Sequence, residues 1–277
     1  MCHFRSLVSS SFPNDNSTSS FVWFSNCSSK KLEWNRMKVA SEVIFLFRDT
    51  KGFASAISDA FRSNPSPSLQ CLEDSFELSL EGYGIKDQKA SGTIFHFVNA
   101  EGTYQVSLMI MQHYEPPILA CAVNEVLGKI AGDKSSLIPK LYVPIIVESS
   151  QIKGESKSLR SDESRALVYG IQIGQETETN EALLSKIVKP PSSLRIQDEK
   201  LACCLHLLSV LKLPTFFLIG QTGQYLLNKA SEQFEITHTI GEILASTTGL
   251  HYSKDSVALN PTKASRDSKE PWRALYG

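Results

Sequence analysis

Short apolar runs that alternate with segments of helical periodicity constrain the fold of this chain more than any other feature. Three runs are bounded by polar or turn residues, as buried strands are: "VASEVIFLF" at 39–47, "KLYVPIIVES" at 140–149 and "LPTFFLIG" at 213–220. Between them, apolar residues recur at helical spacing. This alternation predicts an α/β three-layer sandwich, in which helices cover both faces of one sheet.

An antiparallel part of the sheet is predicted early in the chain. In "FELSLEG", Phe76, Leu78 and Leu80 alternate with polar residues, which is typical of a half-buried strand. The following stretch, "GTIFHFVNAEGTYQVSLMIM", indicates two strands joined by a turn at 99–102. We therefore predict a mixed, largely parallel sheet that includes an antiparallel meander.

Capping residues mark the ends of the first two helices. Asp49 or Thr50 can serve as the N-cap of a helix after the first strand. A second helix starts at the Pro116-Pro117 pair and ends near Gly132, because Pro suits a helix start and Gly a C-terminal cap. A further strand is predicted at "RALVYGIQIG".

The last third of the chain adds two more helices. One is predicted over 197–211, with Asp198 and Glu199 at its positive end, and one over 226–246 with at least one break. The apolar runs also predict which side chains lie buried in the central strands: Val43, Phe45, Val143, Ile145, Phe217 and Ile219.

Three regions are predicted from the change of composition along the chain. Residues 1–36 are rich in Ser and lack periodicity, which favours a disordered or extraneous N-terminal segment; a transit peptide is the alternative. Residues 37–252 form one α/β domain. Residues 253–277 are polar until their end and are expected to be a flexible C-terminal tail.

Charge and cysteine usage exclude several classes of function. The net charge is −1 and the pI about 6.6, so no footprint for nucleic acid is expected. No apolar run approaches the length of a membrane span. The six cysteines show no C-x-x-C pair and the histidines no ligand spacing, so we expect buried thiols, no metal and no cofactor.

Catalytic motifs are scarce. The chain has no G-x-S-x-G nucleophile elbow, and "GQTGQ" at Gly220–Gln224 follows a strand but lacks the lysine of a phosphate loop, which favours a plain turn. His206 is expected in or beside a core, and His96 and His113 in or just after the meander. The carboxylate pairs Glu73-Asp74 and 162–163 are expected to be solvated in loops.

The C-terminal tail places its large apolar side chains at its very end. Trp272 precedes the final Leu275-Tyr276-Gly277, an apolar residue and a tyrosine beside a terminal carboxylate. A polar chain that presents such a tip is suited to docking, because capture of a terminal carboxylate is a recurrent mode of peptide recognition. The alternative is a tail that folds back and packs Trp272 and Tyr276 on its own domain.

This ending resembles the HbYX motif, with which certain proteasome activators and assembly chaperones insert their C-termini between α-subunits of the 20S core. Upstream, about residues 140–243 resemble the proteasome assembly chaperone 1 family. The resemblance rests on the strand "LYVPIIVES", a polar linker, "LACCLHLLSVLKLPTFFLIG" and the helical "ITHTIGEIL".

The resemblance implies a non-catalytic function in proteasome α-ring assembly. The partners it implies are a paralogue similar to proteasome assembly chaperone 2, in a heterodimer, and the α-subunits of the 20S proteasome. Tyr276 would enter a pocket between α-subunits, Leu275 would add an apolar contact, and the Gly277 carboxylate would pair with a lysine. The implied location is the cytoplasm, with the nucleus as a second compartment.

Two other functions remain open from the sequence alone. One is a phosphorylase-like or nucleotide-binding α/β enzyme with a site near Gly220–Gln224. The other is a scaffold whose tail packs on its own domain. Binding of α-subunits and of a paralogous chain separates the chaperone from both.

Overall fold

A seven-stranded sheet forms the centre of the computed structural model, which describes residues 37–62, 68–132, 138–153, 167–174, 187–223 and 229–257. Within these ranges the elements follow one another along the chain as β1 (Glu42–Phe47), α1 (Phe53–Arg62), β2 (Leu69–Ser79), β3 (Lys89–Asn99), β4 (Tyr104–Met111), α2 (Ile118–Ala131), β5 (Lys140–Glu148), β6 (Ile152–Lys153), β7 (Leu167–Ile173), β8 (Arg195–Ile196), α3 (Glu199–Leu211), β9 (Thr215–Thr222) and α4 (Lys229–Thr248). β6 and β8 form a separate antiparallel pair.

The strand order in the large sheet is β2-β3-β4-β1-β5-β9-β7. The four central strands, β4, β1, β5 and β9, run parallel to one another. The meander of β2, β3 and β4 is antiparallel, and β7 joins β9 antiparallel at the opposite edge. The predicted mixed sheet with an antiparallel meander is confirmed, and the part that is parallel is limited to the centre.

Helices cover both faces of the sheet, as predicted for a three-layer sandwich. α2 and α3 pack on one face, and α1 and α4 pack on the other, each pair with its own apolar core. All six residues predicted to be buried are buried: Val43, Phe45, Val143, Ile145, Phe217 and Ile219. All of them except Val43 belong to the first of these cores. The apolar runs therefore predicted both the layers and the centre of the packing.

The residues that the sequence predicts at helix ends also cap those helices in the structure. The Asp49 carboxylate accepts hydrogen bonds from the backbone N–H groups of Phe53 and Ala54 at 3.1 and 2.9 Å, and so caps α1. Asp198 caps α3 by accepting from the Leu201 N–H at 2.8 Å. Gly132 follows α2 with a φ of 62°, a conformation that favours glycine.

Three local expectations need correction. The break predicted in the last helix is absent from α4, which is continuous over its 20 residues. Glu73 and Asp74 lie in β2 rather than in a loop, although both are exposed. His206 is exposed on α3 rather than enclosed, because its neighbours Leu205 and Leu207 occupy the inward positions.

The chain continues to pack beyond Tyr252. The N–H of Ser253 donates to the Ala60 carbonyl at 3.0 Å, and after a 3-10 turn at Lys254–Ser256, Val257 is buried against Ala56 and Ala60 of α1. Residues 1–36 and 258–277 lie outside the described ranges. No helix within the described ranges has the length and apolar character to cross a membrane.

Candidate functional site

A cleft opens at the carboxyl ends of β1 and β5, where the chain changes direction across the sheet. From β1 the chain runs through α1 to the β2–β4 side, and α2 then carries it to β5 on the other side of β1. In open α/β sheets, ligands bind at such a switch point. The cleft has a volume of about 320 Å³, at the lower end of the range for ligand cavities.

Pro144 accounts for the separation of these two strands. The N–H of Lys140 donates to the Ser41 carbonyl on the β1 side, whereas the N–H of Leu141 donates to the Pro214 carbonyl on the β9 side. Because N–H groups alternate along a strand, residue 144 would donate towards β1, and proline has no N–H. Pairing of β1 with β5 accordingly ends at Ile44 and Tyr142, while pairing of β5 with β9 continues to Glu148.

An apolar floor and a charged rim form the walls of the cleft. The floor consists of side chains from β1, α1 and β5, namely Phe47, Phe53, Pro144, Ile145 and Ile146. The rim carries polar and charged side chains from five parts of the chain: Asp49, Thr50, Lys51, His113, Glu148, Gln151, Asp198, Lys200 and Gln233. The cleft therefore suits a ligand or peptide with a large apolar group and a polar surround.

The charged groups on the rim are paired with each other. Nζ of Lys51 lies 2.9 Å from Oε1 of Glu148. The ammonium of Lys200 donates to Nδ1 of His113 at 3.0 Å. Since Nδ1 accepts, the imidazole proton lies on Nε2, which donates to Oε1 of Glu115 at 2.6 Å.

The two aspartates on the rim cap helices α1 and α3. Asp49 and Asp198 accept the backbone hydrogen bonds that begin α1 and α3, and Asp49 also accepts from the Lys51 N–H at 2.8 Å. These groups therefore set the electrostatics of the rim and fix the adjoining loops.

The site suggested at Gly220–Gln224 is corrected by the structure. Gly220, Gln221 and Thr222 are the last residues of β9, not a turn, and Gln224 lies outside the described residues. A Cβ at residue 220 would overlap Cγ2 of Ile236, so glycine here permits the close approach of α4. The N–H of Gly223 donates to Oε2 of Glu232 at 2.7 Å, and this carboxylate would repel a phosphate.

A second arrangement that sequence reasoning missed is a serine–histidine pair. The register of β3 with β4 places His96 opposite Ser107, and Oγ of Ser107 lies 2.9 Å from Nδ1 of His96. The hairpin turn at 99–102 could not have revealed this pair, because the register shifts between Phe97 and Val98. Ser107 is fully buried and its Oγ accepts from the Ala40 N–H at 2.8 Å, so the pair is a structural one.

The environment of His96 keeps its ring neutral. Burial lowers the pKa of His96 below its ordinary 6.5; Asp74 acts in the opposite direction, and Lys38 lowers the pKa further. The ring also stacks on Tyr104, with 4.5 Å between the ring centroids.

The described cysteines have the character of packed thiols. Cys204 is fully enclosed in the core, and burial raises the pKa of the neighbouring Cys203 to about 11, with a smaller effect from Cys121. Thiols with raised pKa values are poor nucleophiles at neutral pH. Within the described ranges no cluster of three or more His, Cys, Asp or Glu side chains could hold a metal ion.

The predicted docking residues Leu275, Tyr276 and Gly277 lie outside the described residues, as does Trp272. The structure brings together instead a set of cleft residues that have no recognisable motif in the sequence. The sequence singled out five of them for other reasons: Asp49, Thr50 and Asp198 at helix starts, Ile145 in the core and His113 after the meander.

The fold and the cleft together define a three-layer α/β protein with a crevice at its switch point. The chain belongs to the family described as "Domain of unknown function (DUF7894)", whose model matches residues 37–277. The match begins at the predicted start of the α/β domain and includes the C-terminal tail. No curated protein matches the sequence.

Several solved structures are similar to this chain. Pyrococcus furiosus PbaA, an archaeal homologue of proteasome-assembly chaperone, is 17% identical, with a TM-score of 0.45 over 80% of this chain and 88% of that one. Pyrococcus furiosus PbaB, an archaeal proteasome activator, is 12% identical, with a TM-score of 0.45 over 81% and 90%. An MTA/SAH nucleosidase is 9% identical, with a TM-score of 0.43 over 79% and 100%. At these levels of similarity the activities of these proteins do not transfer to this chain.

Proposed function

We propose that this protein is a non-catalytic chaperone that promotes assembly of the 20S proteasome α-ring. The observation that carries the proposal is the ending Leu275-Tyr276-Gly277 after a polar segment. The α/β sandwich gives this ending a folded domain that can contact a partner. Pairing of the charged rim groups with each other and with helix ends is in keeping with a non-catalytic role.

The C-terminal tail would dock by three contacts. Tyr276 would contribute on the order of 1.5–3 kcal/mol if its ring were enclosed, and Leu275 a smaller apolar contact. The carboxylate of Gly277 would contribute about 1.5–3 kcal/mol through a charge-assisted bond to a lysine. Ordering the backbone costs about 1–2 kcal/mol per residue, so the tail alone binds weakly and the folded domain supplies the remaining affinity.

The outer side of α3 is where we expect the paralogous partner to bind. Residues 201–211 contain no Asp, Glu, Lys or Arg, and Val210 is 63% exposed beside the exposed His206. A surface helix usually carries charges on its outer side, and the centre of a protein interface is poor in charge.

The partner surface is tested by co-expression with a candidate paralogue and mass photometry. Val210→Lys should weaken the heterodimer at least several-fold while the chain stays folded. Phe234→Lys is the matched control, since Phe234 is an exposed apolar residue (39%) on α4, across the sheet. Equal binding by both variants would place the partner elsewhere.

The tail is tested by binding to purified α-subunits. Intact-mass spectrometry first establishes that Gly277 carries the terminal carboxylate of the protein used. Deletion of Tyr276 and Gly277, or addition of one alanine after Gly277, should weaken binding without changing the unfolding curve or the heterodimer. If the truncated protein bound α-subunits as well as the full chain, the docking role of the tail would be wrong.

A further inference from the structure

The cleft between β1 and β5 lies close to the path on which the described chain ends. Ser253 is hydrogen-bonded to Ala60, near the C-terminal end of α1, and Val257 packs against both Ala60 and Ala56, which is one turn nearer the start of that helix. The described chain therefore ends beside α1, the helix whose first residue, Phe53, lines the cleft. Ala56 and Phe53 are three residues apart, about 4.5 Å along the helix axis.

We propose that the C-terminal segment, residues 258–277, docks into this cleft in the free protein and inserts its aromatic tip. Twenty residues follow Val257. Fully extended, they span up to about 66 Å, so the segment easily reaches the floor of the cleft.

Size and shape favour an aromatic side chain as the occupant. The volume of about 320 Å³ gives the cleft room for one large side chain. Phe47 and Phe53 are aromatic side chains on the floor, and aromatic pairs stabilise each other beyond the burial of their area. Trp272, Leu275 and Tyr276 are the large apolar residues near the end of the segment.

Charge favours the same occupant. Residues 258–277 contain four basic residues (Lys263, Arg266, Lys269, Arg273) and two acidic ones (Asp267, Glu270), so their side chains carry a net charge of +2. The terminal carboxylate on which the proposed function depends lowers this net charge to +1. The rim contains three carboxylates and two ammonium groups. A basic segment is therefore attracted to a slightly acidic rim.

Because the C-terminal segment is tethered to the domain, weak contacts are sufficient to hold it in the cleft. A segment joined directly to Val257 meets the cleft at an effective concentration on the order of millimolar, as short flexible linkers do. The regulatory consequence rests on the proposed function: a docked tip is withheld from α-subunits, so the apparent affinity for the α-ring is reduced in proportion to the undocked fraction.

Tryptophan fluorescence tests the docking in the isolated full-length chain. The sequence has three tryptophans, so Trp23→Phe and Trp34→Phe leave Trp272 as the only one. We expect Trp272 to emit at a shorter wavelength than tryptophan in water and to resist quenching by acrylamide. These properties should not change on dilution, because the contact is intramolecular.

Blocking the cleft should release the tryptophan. Thr50 is exposed on the rim, so Thr50→Arg adds bulk and positive charge where the basic segment would dock, and Thr50→Ser is the matched control. Thr50→Arg should raise the quenching constant of Trp272 several-fold and Thr50→Ser should not. Gln233→Arg, on the α4 side of the cleft, provides an independent blocking variant. Unfolding curves establish that each variant is folded.

Three results would overturn the proposal. Trp272 could be as accessible as free tryptophan in the parent chain. It could be equally protected in the parent and in both blocking variants, which would place it elsewhere on the domain. Protection that vanishes on dilution would identify a second copy as the occupant.

Binding to α-subunits separates this proposal from the proposed function. If both hold, Thr50→Arg binds α-subunits several-fold more tightly than Thr50→Ser. If Trp272 is protected but no variant binds α-subunits, docking stands and the chaperone function fails. If binding needs the tail while Trp272 is accessible throughout, the chaperone function stands and docking into the cleft fails.

Discussion

Nζ of Lys51 lies 2.9 Å from Oε1 of Glu148, so an ion pair joins the loop after β1 to the last residue of β5. It bridges the ends of two strands whose pairing stops at Ile44 and Tyr142. The two side chains are 46% and 40% exposed. Water and salt therefore screen their attraction, and the pair orders the rim of the cleft without contributing much to stability.

Removal of this pair should change the stability of the domain only slightly. Lys51→Met and Glu148→Gln are each expected to lower the free energy of unfolding by less than about 1 kcal/mol. A double-mutant cycle from urea unfolding gives the coupling between them, which should shrink as salt is added. A coupling that is the same at low and high salt would contradict this account of the rim.

Substitutions in the core between the sheet and helices α2 and α3 should lower the free energy of unfolding far more than removal of this ion pair. Phe217 is fully buried in β9, and Phe217→Ala should lower the free energy of unfolding by about 3–5 kcal/mol through lost contacts and a cavity. Val210→Ala, at an exposed position on α3, should change it by no more than about 0.5 kcal/mol. Denaturant unfolding of both variants measures the difference, and similar losses would mean that the core is misplaced.

Gly220 permits the close contact between β9 and α4. Gly220→Ala places a methyl group on Cγ2 of Ile236, which should lower the free energy of unfolding by about 1–3 kcal/mol through overpacking. Gly82→Ala is the matched control, because a Cβ at residue 82 meets no atom within 4 Å. The two variants are compared by urea unfolding.

A second substitution identifies the cause of the Gly220 effect. Ile236→Ala removes the methyl group that the new Cβ would meet, although it costs about 2–5 kcal/mol itself. The double variant should therefore lose less than the two single losses added together. Strict additivity would show that crowding against Ile236 is not the reason for glycine at residue 220.

The sequence allowed the elements and the core to be predicted because each depends on local pattern. The apolar runs around Phe45, Val143 and Phe217 are short and bounded, and burial follows directly from them. Asp49 and Asp198 mark helix starts because capping needs only a neighbouring N–H. These features would be present whatever the order of the strands.

The cleft was not predictable because it depends on strand order and register. Pro144 opens it only because residue 144 faces β1, and β1 is a neighbour of β5 only in the folded sheet. His96 and Ser107 likewise meet through the pairing of β3 with β4. Gly220–Gln224 resembled a turn because a glycine that admits a helix and a glycine that forms a turn look alike in sequence.

Acidification should destabilise the domain through His96. Burial holds the pKa of His96 below its ordinary 6.5 in the folded state, and unfolding restores the ordinary value. At pH values below 6.5 and above the depressed pKa, the unfolded chain therefore binds more protons than the folded one. The free energy of unfolding then falls as the pH falls through this range.

His96→Asn should remove much of this pH dependence. The asparagine side chain cannot be protonated there, and its oxygen can still accept a hydrogen bond from the Ser107 hydroxyl, which lies 2.9 Å from Nδ1 of His96. Urea unfolding across the range on either side of pH 6.5 should give a flatter profile for this variant than for the wild type. His206→Asn, at an exposed position of α3, should keep the steeper profile. If His96→Asn and the wild type lost stability in parallel, other groups would be responsible, and the neutral buried ring would have no part in the acid response.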